Sequence, residues 1–139
     1  MAKTPTPAFT QSISHSLTAF LPADSTNLKT IATAGANDSQ ISSLLISNTD
    51  TISNIAFFYI DNGTTNALIS HCVIPANSGT NGSTDIVSVL NSSTFYSRKL
   101  DSNANPYLLL GANHTLKMKL NTAVSATKEI DVLCTLENY

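Results

Sequence analysis

The stretch ISNIAFFYIDNGTTNALISHCVI, residues 52–74, contains two apolar runs separated by the polar segment DNGTTN, residues 61–66. The Asn-Gly pair supplies residues that tolerate positive φ, which tight hairpin turns require. Phe, Tyr, Ile and Val crowd both runs, and these side chains fit a pleated sheet better than a helix. The stretch therefore predicts a β-hairpin.

The first strand of this hairpin is apolar on both of its faces. Side chains alternate across a strand, so one set can line the core of the domain while the other needs a second cover. Two covers are open at this point: residues 9–21 of the same chain, or another subunit. The two sets are Ala56, Phe58 and Ile60 on one face and Ile55, Phe57 and Tyr59 on the other.

The rest of the chain also has the pattern of short strands joined by polar turns, with no helix longer than a turn or two. About eight strands favour an all-β fold, an antiparallel β-sandwich that is jelly-roll-like. Pro5 and Pro7 favour extended backbone near the start. We predict an extended N-terminal arm and edge strand over residues 1–25 and a β-sandwich domain over residues 26–139. The strand patterns lie at residues 9–21, 28–34, 41–47, 52–74, 107–110, 116–120 and 130–136, and residues 85–90 are ambiguous.

Composition argues against several partners. The chain has 139 residues, which suits one domain, and its net charge is −2 with 12% charged residues. The basic surface that nucleic acid or an anionic membrane requires is therefore not expected. No apolar run reaches the ~18 residues of a transmembrane helix, and the N-terminus lacks the apolar core of a secretory signal. Cys72 and Cys134 are expected to be free and buried, although the sequence leaves open whether they meet.

No chemical motif stands out. His15, His71 and His114 have no second ligand at metal-binding spacing, and no serine nucleophile elbow or paired carboxylates can be identified. The loop of residues 77–85 offers oxygen atoms but not the pattern of a calcium-binding loop. We therefore expect no enzyme, no metal site and no cofactor.

Several residues follow a pattern known from one group of proteins. The sharpest element is TAGAN, residues 33–37, where Gly35 and Asn37 can adopt positive φ between two strands. The others are Thr26-Asn27-Leu28, Ile41, Leu44, Ile46, Ile60-Asp61-Asn62-Gly63 and, more weakly, Leu110-Gly111-Ala112-Asn113 and the last strand. With these residues the chain resembles small β-sandwich virion proteins of tailed bacteriophages over most of residues 26–139. Residues 91–106 match nothing in that pattern, and Ile55 and Phe57 stand where the group often has polar residues.

This resemblance implies a structural virion protein, and a capsid decoration or cement subunit is our first interpretation. Such proteins look like trimeric plugs that bind the major capsid protein on the outer capsid surface after synthesis in the host cytoplasm. We expect Ile55, Phe57 and Tyr59 to form the subunit interface. We expect an arm to contact the capsid through Thr4, Pro5, Pro7 and Phe9.

The alternative is a tail or head fibre module that recognises a host surface glycan, because jelly rolls also host that role. A glycan site predicts surface aromatic residues with polar neighbours. Tyr96, Tyr107 and Tyr139 are the candidates, and they are not clustered in sequence.

Overall fold

The computed structural model describes residues 10–139, which form two packed antiparallel β-sheets and two short 3-10 helices. The predicted antiparallel β-sandwich is confirmed. No helix within the described residues is long and apolar enough to cross a membrane. The 3-10 helices are Pro22–Asp24 and Val89–Asn91. The strands are β1 (Ser12–Phe20), β2 (Lys29–Thr33), β3 (Ser39–Asn48), β4 (Asn54–Asp61), β5 (Asn66–Ile74), β6 (Val87–Ser88), β7 (Lys99–Leu100), β8 (Pro106–Leu110), β9 (Thr115–Leu120) and β10 (Ile130–Asn138).

The strand order is that of a jelly roll. Sheet A runs β1-β10-β3-β8-β7, with the two-residue β6 paired to β3, and sheet B runs β2-β9-β4-β5. When β6 and β7 are left out and the eight longer strands are renumbered, one sheet has the order 1-8-3-6 and the other has the order 2-7-4-5, which is a pair of wrapped Greek keys. Strands that are distant in sequence therefore become neighbours, such as β1 and β10.

The core lies between the two sheets and is filled by the inward side of each strand. Phe20, Phe58 and Phe95 are its largest fully buried side chains. The rings of Phe58 and Phe95 meet edge to face, with centroids 5.6 Å apart and an interplanar angle of 74°, an arrangement that aromatic quadrupoles favour. Phe95 comes from the irregular segment between β6 and β7, which also places Val89 and Leu90 in the core.

The predicted hairpin is confirmed as β4 and β5, with its turn at the DNGTTN segment. Gly63 has a φ of 91°, a conformation that glycine adopts without the steric cost of a side chain. The side chains of Asp61 and Asn62 accept hydrogen bonds from backbone N–H groups further along the turn, Gly63 N at 2.7 Å and Thr65 N at 2.9 Å. These Asx-type bonds hold the turn locally.

The TAGAN segment differs from the expectation. Neither Gly35 nor Asn37 has positive φ, whereas Asn113 in the neighbouring turn does, at 60°. The segment is held by the neighbouring turn and the C-terminal end instead, since Asn113 N donates to Gly35 O at 2.9 Å and Asn37 Nδ2 donates to Tyr139 O at 2.8 Å. With such partners the segment crosses between the sheets without a left-handed residue of its own.

Strand β1 lies at the edge of sheet A and pairs with β10 over its full length. Its alternation is inverted relative to an ordinary edge strand, because the serine and threonine side faces sheet B and the apolar side faces outward. Ser16 Oγ donates to Ile31 O of β2 at 2.5 Å, which explains how a polar residue is satisfied on the inner side. Residues 1–9 lie outside the described residues, and the division of the chain at residue 25 stays a prediction.

The two cysteines are free and buried, Cys72 in β5 of sheet B and Cys134 in β10 of sheet A. Burial raises the pKa of each thiol to about 12, because the charged thiolate is poorly solvated there. Both thiols are therefore protonated and unreactive at neutral pH.

A buried polar cluster joins the loop after β3 to the segment between β9 and β10. Asp50 Oδ2 accepts a hydrogen bond from Ser125 N at 2.8 Å, and Asp50 Oδ1 accepts one from Ile52 N at 3.3 Å. Asn48 Oδ1 accepts from Asp50 N at 2.8 Å. Since Asp50 is only 4% exposed, these bonds replace water that the carboxylate has lost.

We expect Asp50 to make the protein acid-sensitive. Burial acts to raise the pKa of this carboxyl, but hydrogen bonds from Ser125, Ile52 and Thr51 outweigh it and lower the pKa below its usual value. A lowered folded-state pKa stabilises the fold above the unfolded-state value of about 4, and this contribution is lost as pH falls through the folded-state pKa. Asp50→Ala is expected to cost about 1–3 kcal/mol at pH 7 and to flatten the acid limb of stability.

Urea unfolding between pH 7 and pH 2 measures both effects. The matched control is Asp85→Ala, because Asp85 is exposed in the loop before β6. An Asp50→Ala variant that keeps the wild-type acid dependence would show that other carboxyl groups cause it.

Candidate functional site

The outward face of sheet B carries the predicted interface residues. Ile55, Phe57 and Tyr59 lie on the outer side of β4 and are partly buried, whereas Ala56 and Phe58 between them are fully buried in the core. The alternation of strand side chains produces this split. The prediction that two apolar sets face opposite ways therefore agrees with the described burial.

Neighbouring strands extend this face. The register of β4 with β5 places Val73 beside Ile55, His71 beside Phe57 and Leu68 beside Tyr59, and β9 places Lys119 beside Phe57 and Lys117 beside Tyr59. Val73 is 59% exposed and Leu68 is 58% exposed. We call the following set the sheet B surface: Ile55, Phe57, Tyr59, Leu68, His71, Val73, Lys117 and Lys119.

Lysine side chains border the aromatic rings of the sheet B surface. Lys119 Nζ lies 6.0 Å from the ring centroid of Phe57 and 5.7 Å from that of Tyr59, within the range of cation–π attraction. The ring of His71 lies 6.3 Å from that of Phe57 at an interplanar angle of 38°. The sheet B surface is therefore an apolar and aromatic patch, and Lys119 places a positive charge beside its rings.

The second lysine is neutralised locally. Lys117 Nζ forms an ion pair with Asp61 Oδ2 at 2.6 Å. The hydrogen bond from Lys117 and a further one from Gly63 N lower the pKa of the Asp61 carboxyl. Lys119 has no such ion pair within the described residues, so its charge remains available beside the aromatic rings.

Residues 12–20 do not cover the sheet B surface, because they form β1 in sheet A. The sequence left two covers open, residues 9–21 of the same chain or another subunit. The structure excludes residues 12–20 as the cover. The predicted arm residues Thr4, Pro5, Pro7 and Phe9 lie outside the described residues, so their contacts stay a prediction.

Sequence reasoning missed Leu68, Val73 and Lys119 as members of the same surface. The sequence could have identified Leu68 and Val73, because the position of the turn determines which residues of the two hairpin strands pair. Lys119 was not, because its position beside Phe57 depends on the pairing of β4 with β9, about sixty residues later in the chain.

The three candidate tyrosines do not form one cluster. Tyr107 lines a polar groove of about 430 Å³ on sheet A together with Gln40, Asp101 and Asn105. Tyr139 reaches the same glutamine, since its hydroxyl donates to Gln40 Oε1 at 2.9 Å. Tyr96 is 85% exposed in the irregular segment after β6.

Metal-ligating residues are not grouped in the part of the chain that the structure describes, where no set of three or more His, Cys, Asp or Glu side chains can hold an ion. His15 lies on β1, His71 on β5 and His114 in the turn before β9. The three histidines thus belong to separate elements.

Comparison with known proteins yields structural likenesses only. No family model and no curated protein sequence matches the chain. A chain of the cyanophage Pam1 capsid asymmetric unit is similar over 99% of this chain and 94% of that chain, with 13% identity and a TM-score of 0.45. The virus-like particle of the extra small virus of the giant freshwater prawn Macrobrachium rosenbergii is similar over 99% of this chain and 87% of that chain, with 8% identity and a TM-score of 0.34.

Proposed function

We propose that this chain is a structural virion protein, a capsid decoration or cement subunit of a tailed phage that binds and stabilises the outer head surface. The sequence resemblance through the TAGAN segment supports this proposal, and jelly rolls are common among viral coat domains. Fold alone does not determine function. The observation that carries the proposal is the sheet B surface, where the partly buried Ile55, Phe57 and Tyr59 lie beside the exposed Leu68 and Val73.

The sheet B surface suits subunit contact. Interfaces are enriched in aromatic side chains at their centre and polar at their rim, and Phe57, Tyr59 and the neighbouring lysines follow that plan. Burial of apolar area contributes roughly 25 cal/mol per Å². In this proposal the outward side chains of each subunit supply the free energy that holds the trimer together. In this proposal the protein acts by binding and not by catalysis.

The partner on the particle is the major capsid protein in this proposal. An arm that includes Thr4, Pro5, Pro7 and Phe9 provides the contact to it, and the trimer adds avidity because three arms bind together. Stabilisation of the shell follows from mass action, since a ligand that binds the assembled state alone shifts the equilibrium toward assembly.

Immunogold labelling of intact virus particles with antibody to this chain tests the proposed location. Labels distributed over the head are expected, and they would justify mapping the symmetry positions by electron cryomicroscopy. Labels confined to the tail tip or to fibres would contradict decoration and favour host recognition. Absence of label on particles that contain the chain by immunoblot would place it inside the shell and contradict the outer location.

A second candidate function, recognition of a host surface glycan, is favoured by the polar groove on sheet A. Tyr107 can stack on a sugar ring there, while Gln40, Asp101 and Asn105 offer hydrogen-bonding groups. Binding of neutral oligosaccharides on a glycan array, lost in Tyr107→Ala, would support this function. Fibre labelling in the immunogold experiment would support it as well.

A further inference from the structure

The outer edge of β1 is long and is not paired with another strand among residues 10–139. The strand runs nine residues, SISHSLTAF, and pairs with β10 without a register shift. No strand pairs with its other side within residues 10–139. Exposed sheet edges are normally protected by charged residues, proline, bulges, short strands or a covering segment, and β1 has no Asp, Glu, Lys or Arg, no proline and no bulge.

The other sheet edges are protected. In β2, Lys29 is a charged edge residue, and the pairing with β9 is irregular. The free side of β5 is covered by the segment after β6, where Thr94 Oγ1 donates to His71 O and Ser97 Oγ donates to Ile69 O. The outermost strand on the opposite side of sheet A, β7, is only two residues long. Thus β1 is the one long edge of the described fold that can accept another strand.

The side chains of β1 reinforce this conclusion. Leu17 is 78% exposed and Ile13 is 64% exposed, which makes them the most exposed large apolar side chains of the described residues after Tyr96. Leu17 also begins a cross-strand row that continues through Leu133 of β10 to Leu45 of β3. The outer face of sheet A therefore has an apolar row that ends at the open edge.

The spacing of these residues matches a two-fold axis. An isologous contact pairs residue i with residue j and residue j with residue i. Ile13 and Leu17 lie two residues on either side of His15. In an antiparallel pair of β1 strands centred on His15, Ile13 of each copy therefore lies opposite Leu17 of the other copy. A different kind of partner would not require this symmetry.

One further contact favours this register. Lys29 Nζ donates to Ala19 O at 2.6 Å, so the end of β1 near Ala19 already has a partner. Centring the pair on His15 leaves Ala19 at the end of the new ladder. Because β1 contains no Asp, Glu, Lys or Arg, two copies bring no fixed like charges into opposition.

We propose that β1 is a self-association site at which a second copy of this chain adds its own β1, antiparallel and centred on His15. The two A sheets then form one continuous sheet across the dimer. This contact lies on a different part of the molecule from the sheet B surface and does not depend on it. Where both contacts form, trimers are linked to each other.

A cysteine at the proposed axis tests the contact. In His15→Cys the two cysteines lie directly opposite each other, with roughly 4.5–5.5 Å between their Cα atoms, and disulfides form at Cα separations of about 4.4–6.8 Å. The native thiols of Cys72 and Cys134 are buried and protonated, so they contribute little background. Incubation with oxidised glutathione, which is reduced to two thiols as the new disulfide forms, is expected to convert most of the variant to a covalent dimer on a non-reducing gel.

The matched control is Ala19→Cys, on the same outward side of the same strand. In the proposed register the two Ala19 positions of the dimer lie eight residues apart along the strands, or roughly 26 Å. The Ala19→Cys variant should therefore cross-link at least tenfold more slowly than His15→Cys. Equal rates for the two variants, or no dimer from His15→Cys, would overturn the proposal.

A second measurement separates this proposal from the one on sheet B. In a Phe57→Ser chain, light scattering should show a dimer at high concentration, and adding Leu17→Lys should reduce it to a monomer. Leu17 is exposed, so the lysine should leave folding intact. A Phe57→Ser chain that remains trimeric while His15→Cys still cross-links would contradict the sheet B interface and retain the β1 contact. A Phe57→Ser chain that is monomeric at every concentration would overturn the β1 contact.

Discussion

Replacing Phe57 with serine is expected to abolish the trimer and to leave the monomer, at one third of the trimer mass, or at high concentration the β1-linked dimer. Phe57 lies at the centre of the sheet B surface, between His71 of β5 and Lys119 of β9. Buried aromatic residues at the centre of an interface commonly carry about 2 kcal/mol or more of binding free energy each. Because a trimer has three such contacts, the loss per assembly is about three times as large.

Multi-angle light scattering of the wild type and the variant over a range of concentrations measures this effect. Circular dichroism should show an intact fold, since the ring is outside the core and its loss costs only about 1 kcal/mol of cross-strand contact. The matched control is Ile52→Ser, which changes an exposed apolar residue just before β4. A Phe57→Ser variant that stays trimeric but loses stability would show that the face is covered by its own chain.

Replacing the adjacent Phe58 with alanine is expected to have the opposite profile, with a large loss of stability. Phe58 is fully buried and packs edge to face on Phe95. Removing a buried phenylalanine ring typically costs about 3–5 kcal/mol, because transfer free energy is lost and a cavity remains. That is a large part of the roughly 5–15 kcal/mol that holds a domain folded.

Urea unfolding at pH 7 measures this loss as a shift of the midpoint. The two neighbouring substitutions serve as controls for each other, since Phe58→Ala should reduce stability several-fold more than Phe57→Ser does. A cost below about 1.5 kcal/mol for Phe58→Ala would mean that the site collapses onto Phe95 or that the ring is not in the core.

The hairpin and the strand pattern were predictable from the sequence because their signals are local. The turn chemistry of Asn62 and Gly63 and the alternation of side chains operate within a few residues. The same local rule assigns Phe57 and Phe58 to opposite faces of β4. Residues 85–90 were ambiguous because the segment is divided between a two-residue strand and a 3-10 helix, neither of which is long enough to show a period.

The expectation for the TAGAN segment failed for a non-local reason. A glycine followed closely by an asparagine is often a sign of positive φ, but here the backbone partners come from the 111–113 turn and from Tyr139 at the end of the chain. No local rule places those groups next to Gly35. Next to this segment, positive φ occurs at Asn113, which belongs to the Gly-Ala-Asn turn.

The sequence by itself determined where the strands of this protein lie and which side chains share a face, since both follow from a two-residue period along the chain. Only the tertiary structure decided which face is inside. In β1 the serines point inward because the strand packs beside β2, and Leu17 points outward although it is apolar. Only the tertiary structure placed Lys119 beside Phe57, because the pairing of β4 with β9 is a long-range contact that alternation along either strand leaves undetermined.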